Sequence, residues 1–424
     1  MGRNSTCNIL MYSHDTYGLG HIRRTMAIAS HLRSPSTNVL ILTGSPIAGR
    51  FAFPDQVDFV RIPGMIKKTN EEYLPLSIKI NPEHALNIRR SIIKATAKTF
   101  QPDLFIVDKE PLGLKKEVLP TLEWMRRNLP RARTILGLRD IMDDADTVQK
   151  DWTAKGIYEV LGTLYSEIWV YGIRSFYDAV REYRIPEPVA ERVCFTGYIP
   201  RKVPDVGDLD TVKKNWRIQT GQKLVVVTIG GGGDGYPVMD TYLSMLERRD
   251  GRVPFQSVLI TGPFMPEEER RTIGERARRL GITADRFFSR MEEILAAADL
   301  VVTMGGYNTL CEVLSQKTPA LIIPRETPRK EQLIRARVFK QHHLADYIPW
   351  TQLAPEILYR RIRELLEYPE ACRKAISHFQ LTGLDTMRGR IEAFRELSND
   401  RKPKTCFGDD PQRVSKNFGN LHFQ

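Results

Sequence analysis

Two side chains in the first quarter of the chain are suited to proton transfer. His21 follows the turn Gly18-Leu-Gly20 and opens the first predicted helix. An imidazole has a reference pKa of about 6.5, so His21 is a candidate general base at neutral pH. Asp108 directly follows a predicted strand, where its carboxylate is placed to orient that imidazole. The competing interpretation is that His21 only caps or packs the helix and that Asp108 caps a loop.

Glycine-rich turns follow predicted strands in both halves of the chain. The first, with Gly18 and Gly20, approaches the dinucleotide fingerprint Gly-x-Gly-x-x-Gly, but Arg23 stands at the third glycine position and argues against a nicotinamide or flavin site. The second turn consists of Gly230, Gly231, Gly232 and Gly233. Such a turn lets backbone amides approach phosphate oxygens, and no Gly-Lys-Ser/Thr follows that would indicate a nucleoside-triphosphate P-loop. A flexible turn without function is the alternative.

A third strand, turn and helix unit carries polar side chains for sugar recognition. Its residues of interest are Gly305, Gly306, Asn308, Thr309 and Glu312. We predict that Asn308 caps the helix. Leu310, Val313 and Leu314 form the predicted buried stripe, and Glu312 falls on the opposite side of the helix. A carboxylate there either accepts hydrogen bonds from sugar hydroxyls or faces water.

A fourth loop, before the helix predicted at Lys330–Gln341, repeats this arrangement. Its side chains Glu331 and Gln332 are expected over the same cleft as the glycine turns. Three helix-opening loops of this kind in one domain predict a site for a diphosphate that carries a sugar.

Short apolar runs alternate with amphipathic helical stretches, which predicts parallel sheets. The predicted strands are Asn8–Ser13, Val39–Thr43, Phe59–Ile62, Leu104–Val107, Thr134–Leu138, Ile168–Tyr171, Leu224–Ile229, Ser257–Thr261, Phe287–Ser289, Leu300–Thr303 and Ala320–Ile323. The fold class is therefore α/β, with two doubly wound, Rossmann-like parallel-sheet domains facing a cleft. We predict an amino-terminal domain at 1–200 that supplies His21, a linker at 201–220, a carboxy-terminal domain with closing helices at 221–398 that carries the diphosphate-sugar site, and a mobile basic tail at 399–424.

Composition excludes several classes of protein. The chain has 424 residues, of which 42% are hydrophobic and 27% charged, an ordinary globular mixture rather than a disordered one. No apolar run approaches the roughly 18 residues of a membrane-spanning helix, and no secretory leader is apparent. Five widely spaced cysteines are typical of a reducing cytoplasm. The net charge of +12 leaves open nucleic acid, an anionic membrane or a phosphorylated substrate as partner.

Three weaker signals each have a competing interpretation. Asp144-Ala-Asp146 matches a metal-binding Asp-x-Asp, but helix capping explains it better, and the histidines show no ligand spacing, so we predict no metal. His342-His343 is expected at a helix end. The basic segment Lys115–Arg133 is either a helix lying on an anionic membrane or, more often in such sequences, a solvated helix with one core face.

From about Tyr12 to about Tyr347 the chain resembles the GT-B glycosyltransferases, especially the family 28 N-acetylglucosaminyltransferases of peptidoglycan synthesis and their predicted cytoplasmic relatives. The run from Met304 through Glu312 to Gln332 is the most specific part. The resemblance implies that Glu312 holds the ribose of a uridine nucleotide, the glycine turn its phosphates, and Glu331 and Gln332 the donor sugar. It also implies that the stretch from Phe288 to Met291 pairs with the base through its backbone and that His21 acts on the acceptor.

These expectations together describe a glycosyltransferase that moves a sugar from a nucleotide sugar, such as a UDP-sugar, to an acceptor hydroxyl. His21, oriented by Asp108, is the expected base, and inversion at the anomeric carbon without a metal or other cofactor is implied by the resemblance. The acceptor, whether lipid-linked or small, and contact with the inner membrane face stay open in an otherwise cytoplasmic protein. The alternatives are a nucleotide-sugar hydrolase or epimerase of the same fold, favoured by the Gly18-to-Arg24 loop, and a non-catalytic anion- or nucleic-acid-binding protein. No nucleic-acid partner is expected, because the sequence contains no recognition motif.

Overall fold

The computed structural model describes residues 6–14, 20–50, 52–67, 73–216, 218–219 and 221–400. The chain divides into two compact units, one that ends at Arg388 and one that begins at Gly389. The predicted tail lies almost entirely outside the described residues. Both parallel sheets and all the candidate site residues belong to the first unit.

The amino-terminal half is built on one parallel sheet. Its strands are β1 Cys7–Ser13, β2 Thr37–Thr43, β3 Val57–Arg61, β6 Leu104–Asp108, β7 Arg133–Arg139, β8 Glu167–Tyr171 and β9 Val193–Phe195, and a separate antiparallel hairpin is formed by β4 Met65–Lys67 and β5 Tyr73–Pro75. The sheet order is β3-β2-β1-β6-β7-β8-β9. Strands β6 and β8 are buried along their whole length, as expected when helices cover both faces of a parallel sheet.

Among the described residues, seven α-helices accompany this sheet. They are α1 Gly20–Leu32, α2 Pro82–Phe100, α3 Leu119–Asn128, α4 Ala145–Lys155, α5 Ile157–Leu164, α6 Ala179–Glu182 and α7 Glu187–Ala190. Helix α2 starts where its sequence predicts, because the Asn81 side chain accepts a hydrogen bond from the Glu83 amide at 2.8 Å. Helix α8, Val206–Asn215, lies inside the segment predicted as a linker.

The carboxy-terminal half repeats the architecture. Its strands are β10 Lys223–Thr228, β11 Phe255–Ile260, β12 Thr283–Asp285, β13 Leu300–Thr303, β14 Ala320–Ile322 and β15 Asp346–Tyr347, and its helices are α9 Tyr236–Glu247, α10 Glu267–Arg279, α11 Met291–Ala297, α12 Tyr307–Gln316, α13 Glu331–Gln341, α14 Pro355–Glu367, α15 Glu370–His378 and α16 Gly383–Asp400. The order β12-β11-β10-β13-β14-β15 matches that of the first sheet over its first six strands. The prediction of two doubly wound sheets is thus confirmed.

One predicted strand is wrong. The chain does not form a strand at Phe287–Ser289; the edge strand β12 lies earlier, at Thr283–Asp285. Two of the three residues of β12 are exposed, so the strand carries little of the apolar signal by which buried strands are recognised. The other ten predicted strands are confirmed within a few residues at each end.

Three weaker signals have clear outcomes. Asp144 caps helix α4 and accepts a hydrogen bond from the Thr147 amide, which confirms the capping interpretation. His342 directly follows the last residue of α13, as expected for a helix end. Helix α3 buries Leu122 and Met125, so the core-face interpretation of the basic segment is confirmed. Within the described part of the chain, no helix is long and apolar enough to cross a bilayer.

Candidate functional site

The candidate site lies where the strand order of each sheet reverses. In the first sheet this switch point lies between β1 and β6, and in the second between β10 and β13. Connections from adjacent strands diverge there to opposite faces of the sheet, which opens a crevice beyond the carboxyl ends of the strands. At the first switch point His21 lies beyond the end of β1 and Asp108 is the last residue of β6, and the two later glycine turns follow the strands of the second.

The structure brings His21 and Asp108 together. The Nδ1 atom of His21 lies 2.6 Å from Oδ2 of Asp108. Arg24 donates to both oxygens of the same carboxylate, from Nη2 at 2.6 and 2.8 Å and from Nε at 3.0 Å. An ionised carboxylate only accepts hydrogen bonds, so Nδ1 of His21 carries the proton and Nε2 is left with its lone pair free. The Arg24 Nη2 atom, 3.0 Å from Nδ1, is therefore a close neighbour rather than a donor to the ring.

Electrostatics keep this imidazole neutral. Burial lowers the pKa of His21 to about 4, even though the hydrogen bond and charge of Asp108 act in the opposite direction. Burial also opposes ionisation of Asp108, but the charge of Arg24 and the hydrogen bonds from Arg24 and His21 together outweigh it and hold the pKa of that carboxyl below its usual range. A neutral imidazole, a fixed tautomer and an orienting carboxylate are the properties of a general base.

A second buried network lies under this base, and the sequence reasoning missed it. The Tyr12 hydroxyl donates to Glu117 at 2.5 Å and lies 3.3 Å from Nδ1 of His14. Arg89 donates two hydrogen bonds to the same Glu117 carboxylate. The ring of His14 meets that of His21 edge to face, with centroids 5.9 Å apart. Because burial lowers the pKa of His14 to about 3, it supports His21 as a neutral, rigid neighbour.

The four-glycine turn has a conformation that requires glycine. Gly230 and Gly232 have φ angles of 67° and 93°. A Cβ atom on Gly232 would overlap the carbonyl oxygen of Thr261, and the Gly231 carbonyl accepts a hydrogen bond from the Phe264 amide at 2.8 Å. The turn is thus packed on the loop that follows β11. Part of its glycine content is explained by this close approach, whatever ligand the turn binds.

Helix α12 differs from the prediction at two positions. The helix begins at Tyr307 with Gly306 at its N-cap, so Asn308 is not the cap. Its side-chain amide instead donates to the Gly20 carbonyl at 2.9 Å and accepts from Arg201 at 2.7 Å, which links the two halves of the chain. Glu312 does not face water: it is 5% exposed, and its Oε1 lies 3.1 Å from Nη1 of Arg23. The predicted stripe of Leu310, Val313 and Leu314 is buried as expected, but the water-facing interpretation of Glu312 is wrong, because Arg23 of the amino-terminal half covers that side of the helix.

The loop before α13 places the predicted sugar-binding residues beside the four-glycine turn. Arg325 donates at 2.6 Å both to Asp234, which follows that turn, and to Oε1 of Glu331. The second carboxylate oxygen of Glu331 is buried and has no hydrogen-bond partner among the described residues. Gln332 accepts from the Arg325 amide at 3.0 Å, so its side-chain NH₂ is left to donate elsewhere.

The remaining predicted site residues have the following surroundings. Phe288 is half-buried and packs edge to face on Trp216 at 5.3 Å. Met291, the first residue of α11, is buried. Gly305 has a φ of 77°, and its carbonyl accepts a hydrogen bond from Arg335. Thr309 lies in the first turn of α12. Gly18 lies outside the described residues.

A buried ion pair and further hydrogen bonds join the two halves. Arg335 of α13 donates to both oxygens of Asp140, which follows β7, at 2.8 Å each. Arg335 is fully buried, and the Tyr198 hydroxyl donates to the same carboxylate at 3.0 Å. Asp143 accepts from the Lys330 amide at 2.7 Å. Arg335 and Lys330 lie more than 180 residues along the chain from Asp140 and Asp143, so local sequence patterns could not predict these contacts.

No cluster of three or more histidine, cysteine or acidic side chains suited to a metal ion occurs within the described ranges.

Comparison with known proteins agrees with this architecture. Residues 226–384 match the glycosyltransferase family 28 C-terminal domain. The UDP-N-acetylglucosamine--N-acetylmuramyl-(pentapeptide) pyrophosphoryl-undecaprenol N-acetylglucosamine transferase of Acetivibrio thermocellus is 27% identical over 212 residues, which is 50% of this chain and 57% of that protein. The enzyme of the same name from Streptococcus thermophilus is 28% identical over 171 residues, or 40% and 44% of the two chains. The chain thus spans about half the length of these relatives.

Solved structures cover nearly the whole chain. Phytolacca americana UGT2, complexed with UDP-2fluoro-glucose and pterostilbene, is similar with a TM-score of 0.62 at 14% identity. The match covers 92% of this chain and 99% of the UGT2 chain. Acinetobacter baumannii MurG has a TM-score of 0.56 at 14% identity, with 91% and 99% covered. The chain therefore has the two-domain GT-B fold, and its residues 226–384 are similar to the carboxy-terminal domain of glycosyltransferase family 28.

Proposed function

We propose that this protein transfers a sugar from a nucleotide-sugar donor, a UDP-sugar in the first instance, to the hydroxyl of an acceptor. The observation that carries the proposal is the neutral His21 held by Asp108 and Arg24 at the switch point of the first sheet. Nε2 of His21 removes the proton of the acceptor hydroxyl as its oxygen attacks the anomeric carbon. This direct displacement inverts the configuration at that carbon.

The carboxy-terminal half supplies the donor side of this proposal. The relatives matched there carry UDP-N-acetylglucosamine in their names. Amides of the Gly230–Gly233 turn and of the α12 amino terminus stabilise the departing diphosphate, because both helix starts present unpaired N–H groups to the cleft. Glu312 accepts the ribose hydroxyls, and the unpartnered oxygen of Glu331 accepts a hydroxyl of the sugar. The backbone between Phe288 and Met291 pairs with the base.

Donor binding is tested first, because it needs no acceptor. Thermal unfolding and calorimetry with UDP-, GDP-, dTDP- and ADP-sugars should show stabilisation by one nucleotide class. Glu312→Gln should lose that stabilisation, whereas Glu191→Gln, an exposed site in the other half, should keep it. Equal binding by the two variants would contradict the assignment of Glu312, and binding of none of the donors by wild type would refute the proposed function.

The base is tested separately. His21→Ala should bind the donor as wild type does but lose about 10²–10⁴-fold in turnover. His378→Ala, at an exposed histidine, is the matched control. Sugar released by wild type in the absence of any acceptor would indicate the alternative, a nucleotide-sugar hydrolase.

We propose further that the acceptor is lipid-linked and that the protein acts in the cytoplasm at the inner membrane face. The relatives' names include pyrophosphoryl-undecaprenol, a lipid carrier. The amino-terminal half exposes four aliphatic side chains on the loop before α2 and on α2 itself, namely Leu76, Ile78, Ile80 and Ile88. Lys79, Lys115 and Lys116 are exposed in the same region, and Arg90 of α2 bonds to the Lys115 carbonyl at 3.1 Å. Exposed apolar side chains with lysines in the same region are suited to binding an anionic bilayer surface.

Vesicle sedimentation tests this part. Wild type should sediment with phosphatidylglycerol vesicles, and the double variant Ile78→Asn with Ile80→Asn should stay in the supernatant. Each isoleucine buried in the bilayer contributes about 1.5–3 kcal/mol to the free energy of binding. Val203→Asn, at a valine 62% exposed outside the patch, is the control. Equal sedimentation of the double variant and the control would contradict membrane contact.

A further inference from the structure

One arginine of the amino-terminal half reaches across the cleft to the donor side. Arg23 of α1 places Nη1 3.1 Å from Oε1 of Glu312 and Nη2 3.9 Å from a carboxylate oxygen of Glu292. The Arg23 side chain is 26% exposed, whereas that of Glu312 is 6% exposed. One guanidinium therefore serves two carboxylates and remains accessible from the cleft.

The contact is polar and single rather than a bidentate clamp. In contrast to Arg24 on Asp108 and Arg335 on Asp140, Arg23 makes only one close contact with each of its carboxylates. The Arg23 side chain is partly exposed, so water screens its attraction to Glu312 more than it screens the two fully buried clamps. Glu312 is buried, so Arg23 can leave it only where another donor, such as a ribose hydroxyl, takes its place.

The position of Arg23 lies on the path of a nucleoside diphosphate. Glu312 is the sixth residue of α12, about 7–8 Å along the helix from its first residue at 1.5 Å per residue. A donor with its ribose on Glu312 and its diphosphate at the α12 amino terminus runs along this stretch. Arg201 holds the backbone carbonyl of Arg23 at 3.4 Å and the Asn308 side chain at 2.7 Å, which keeps the α1 turn against the same end of α12.

We propose that Arg23 is a specificity-determining residue of the donor site, whose guanidinium exchanges Glu312 for the diphosphate when the nucleotide binds. The inference rests on the proposed function, because it takes Glu312 as the ribose-binding carboxylate. The exchange frees Glu312 to accept ribose hydroxyls and gives the diphosphate a charge-assisted donor. A nucleoside without phosphates must compete with Arg23 for Glu312 and gains nothing in return. The site therefore discriminates against nucleosides and in favour of nucleoside diphosphates.

Calorimetry with UDP and with uridine tests this on the full chain. Arg23→Gln should weaken UDP binding about tenfold or more, the effect of losing a charge-assisted hydrogen bond to phosphate. Uridine should bind the variant equally well or more tightly, so the ratio of the uridine Kd to the UDP Kd should fall at least as much. Arg23→Lys should recover part of the ratio. Arg33→Gln removes the same charge just beyond the far end of α1 and should behave as wild type.

Each result separates the inference from the proposed function. If wild type binds UDP and Arg23→Gln keeps the wild-type ratio of the two Kd values, the role of Arg23 is overturned and the proposed function is not. Wild type that binds neither UDP nor uridine overturns the proposed UDP-sugar site, and the inference with it. If Arg23→Gln does not fold because Glu312 is left buried and unpaired, the comparison is made with Arg23→Lys, which keeps a positive charge beside Glu312. The ratio of the uridine Kd to the UDP Kd should then still fall below that of wild type, and a wild-type ratio would overturn the role of Arg23.

Discussion

The buried pair between Asp140 and Arg335 yields a prediction that needs no substrate. Asp140→Asn removes the charge that compensates a fully buried guanidinium, while one side-chain oxygen remains to accept from Arg335. Removing one partner of a buried pair typically costs about 3–5 kcal/mol. Arg335 keeps its hydrogen bonds to the carbonyls of Gly305 and Ile141, at 3.1 and 3.2 Å, which places the expected loss near the lower end, about 3 kcal/mol.

Urea unfolding followed by tryptophan fluorescence measures this loss, since Trp169 reports on the first sheet and Trp350 on the second half. The matched control is Glu367→Gln, which breaks an exposed pair with Arg363 on α14 and should cost no more than about 0.5 kcal/mol.

A thermodynamic cycle identifies the source of the effect. Arg335→Gln should be destabilised as well, and the double variant with Asp140→Asn should be less destabilised than the sum, with a coupling of at least about 2 kcal/mol. If Asp140→Asn and Glu367→Gln unfold at the same urea concentration, the prediction is refuted, because the Asp140–Arg335 pair would then not hold the two halves together.

Three further predictions follow from the site. The ratio kcat/KM should stay level down to about pH 5 and fall only as His21, with its pKa of about 4, takes up a proton; a decline starting near pH 6.5 would contradict a buried neutral base. The same lowered pKa means that the stabilising contribution of neutral His21 is complete above about pH 6.5 and is lost as pH falls toward 4, so His21→Gln should flatten the acid side of a stability-against-pH curve. Gly232→Ala, at a φ of 93° and against the Thr261 carbonyl, should cost about 1–3 kcal/mol in chemical denaturation, while Gly207→Ala, which meets open space, should be neutral or stabilising.

The parts of the fold with local causes were predictable. Strands buried on both faces show as continuous apolar runs, and ten of the eleven predicted strands were assigned correctly, as was the Asn81-Pro82 helix start. The approach of His21 to Asp108 was also expected, because the carboxyl ends of neighbouring parallel strands meet at one edge of the sheet.

Features that depend on contacts between residues far apart in the chain were not predictable. Asn308 has the residue type of a cap, yet its amide is taken by Gly20 from the other half. Glu312 lies on the polar side of α12 by spacing, yet Arg23 covers it. Both errors have one origin: helical periodicity reports on the core of a single domain, and the second domain buries a different face.

Burial also makes His21 a chemical reporter, because it lowers the pKa of the imidazole. Acylating reagents modify imidazole only in its unprotonated form, and at pH 5 an imidazole with a pKa of about 4 is about 90% unprotonated, against about 3% for one with an ordinary pKa. The side chain is 15% exposed, and its Nε2 has no hydrogen-bond partner within the described residues. Mildly acidic labelling therefore directs the reagent toward His21 over histidines of ordinary pKa, and protection from it would measure occupancy of the cleft by a candidate acceptor without any assay of turnover.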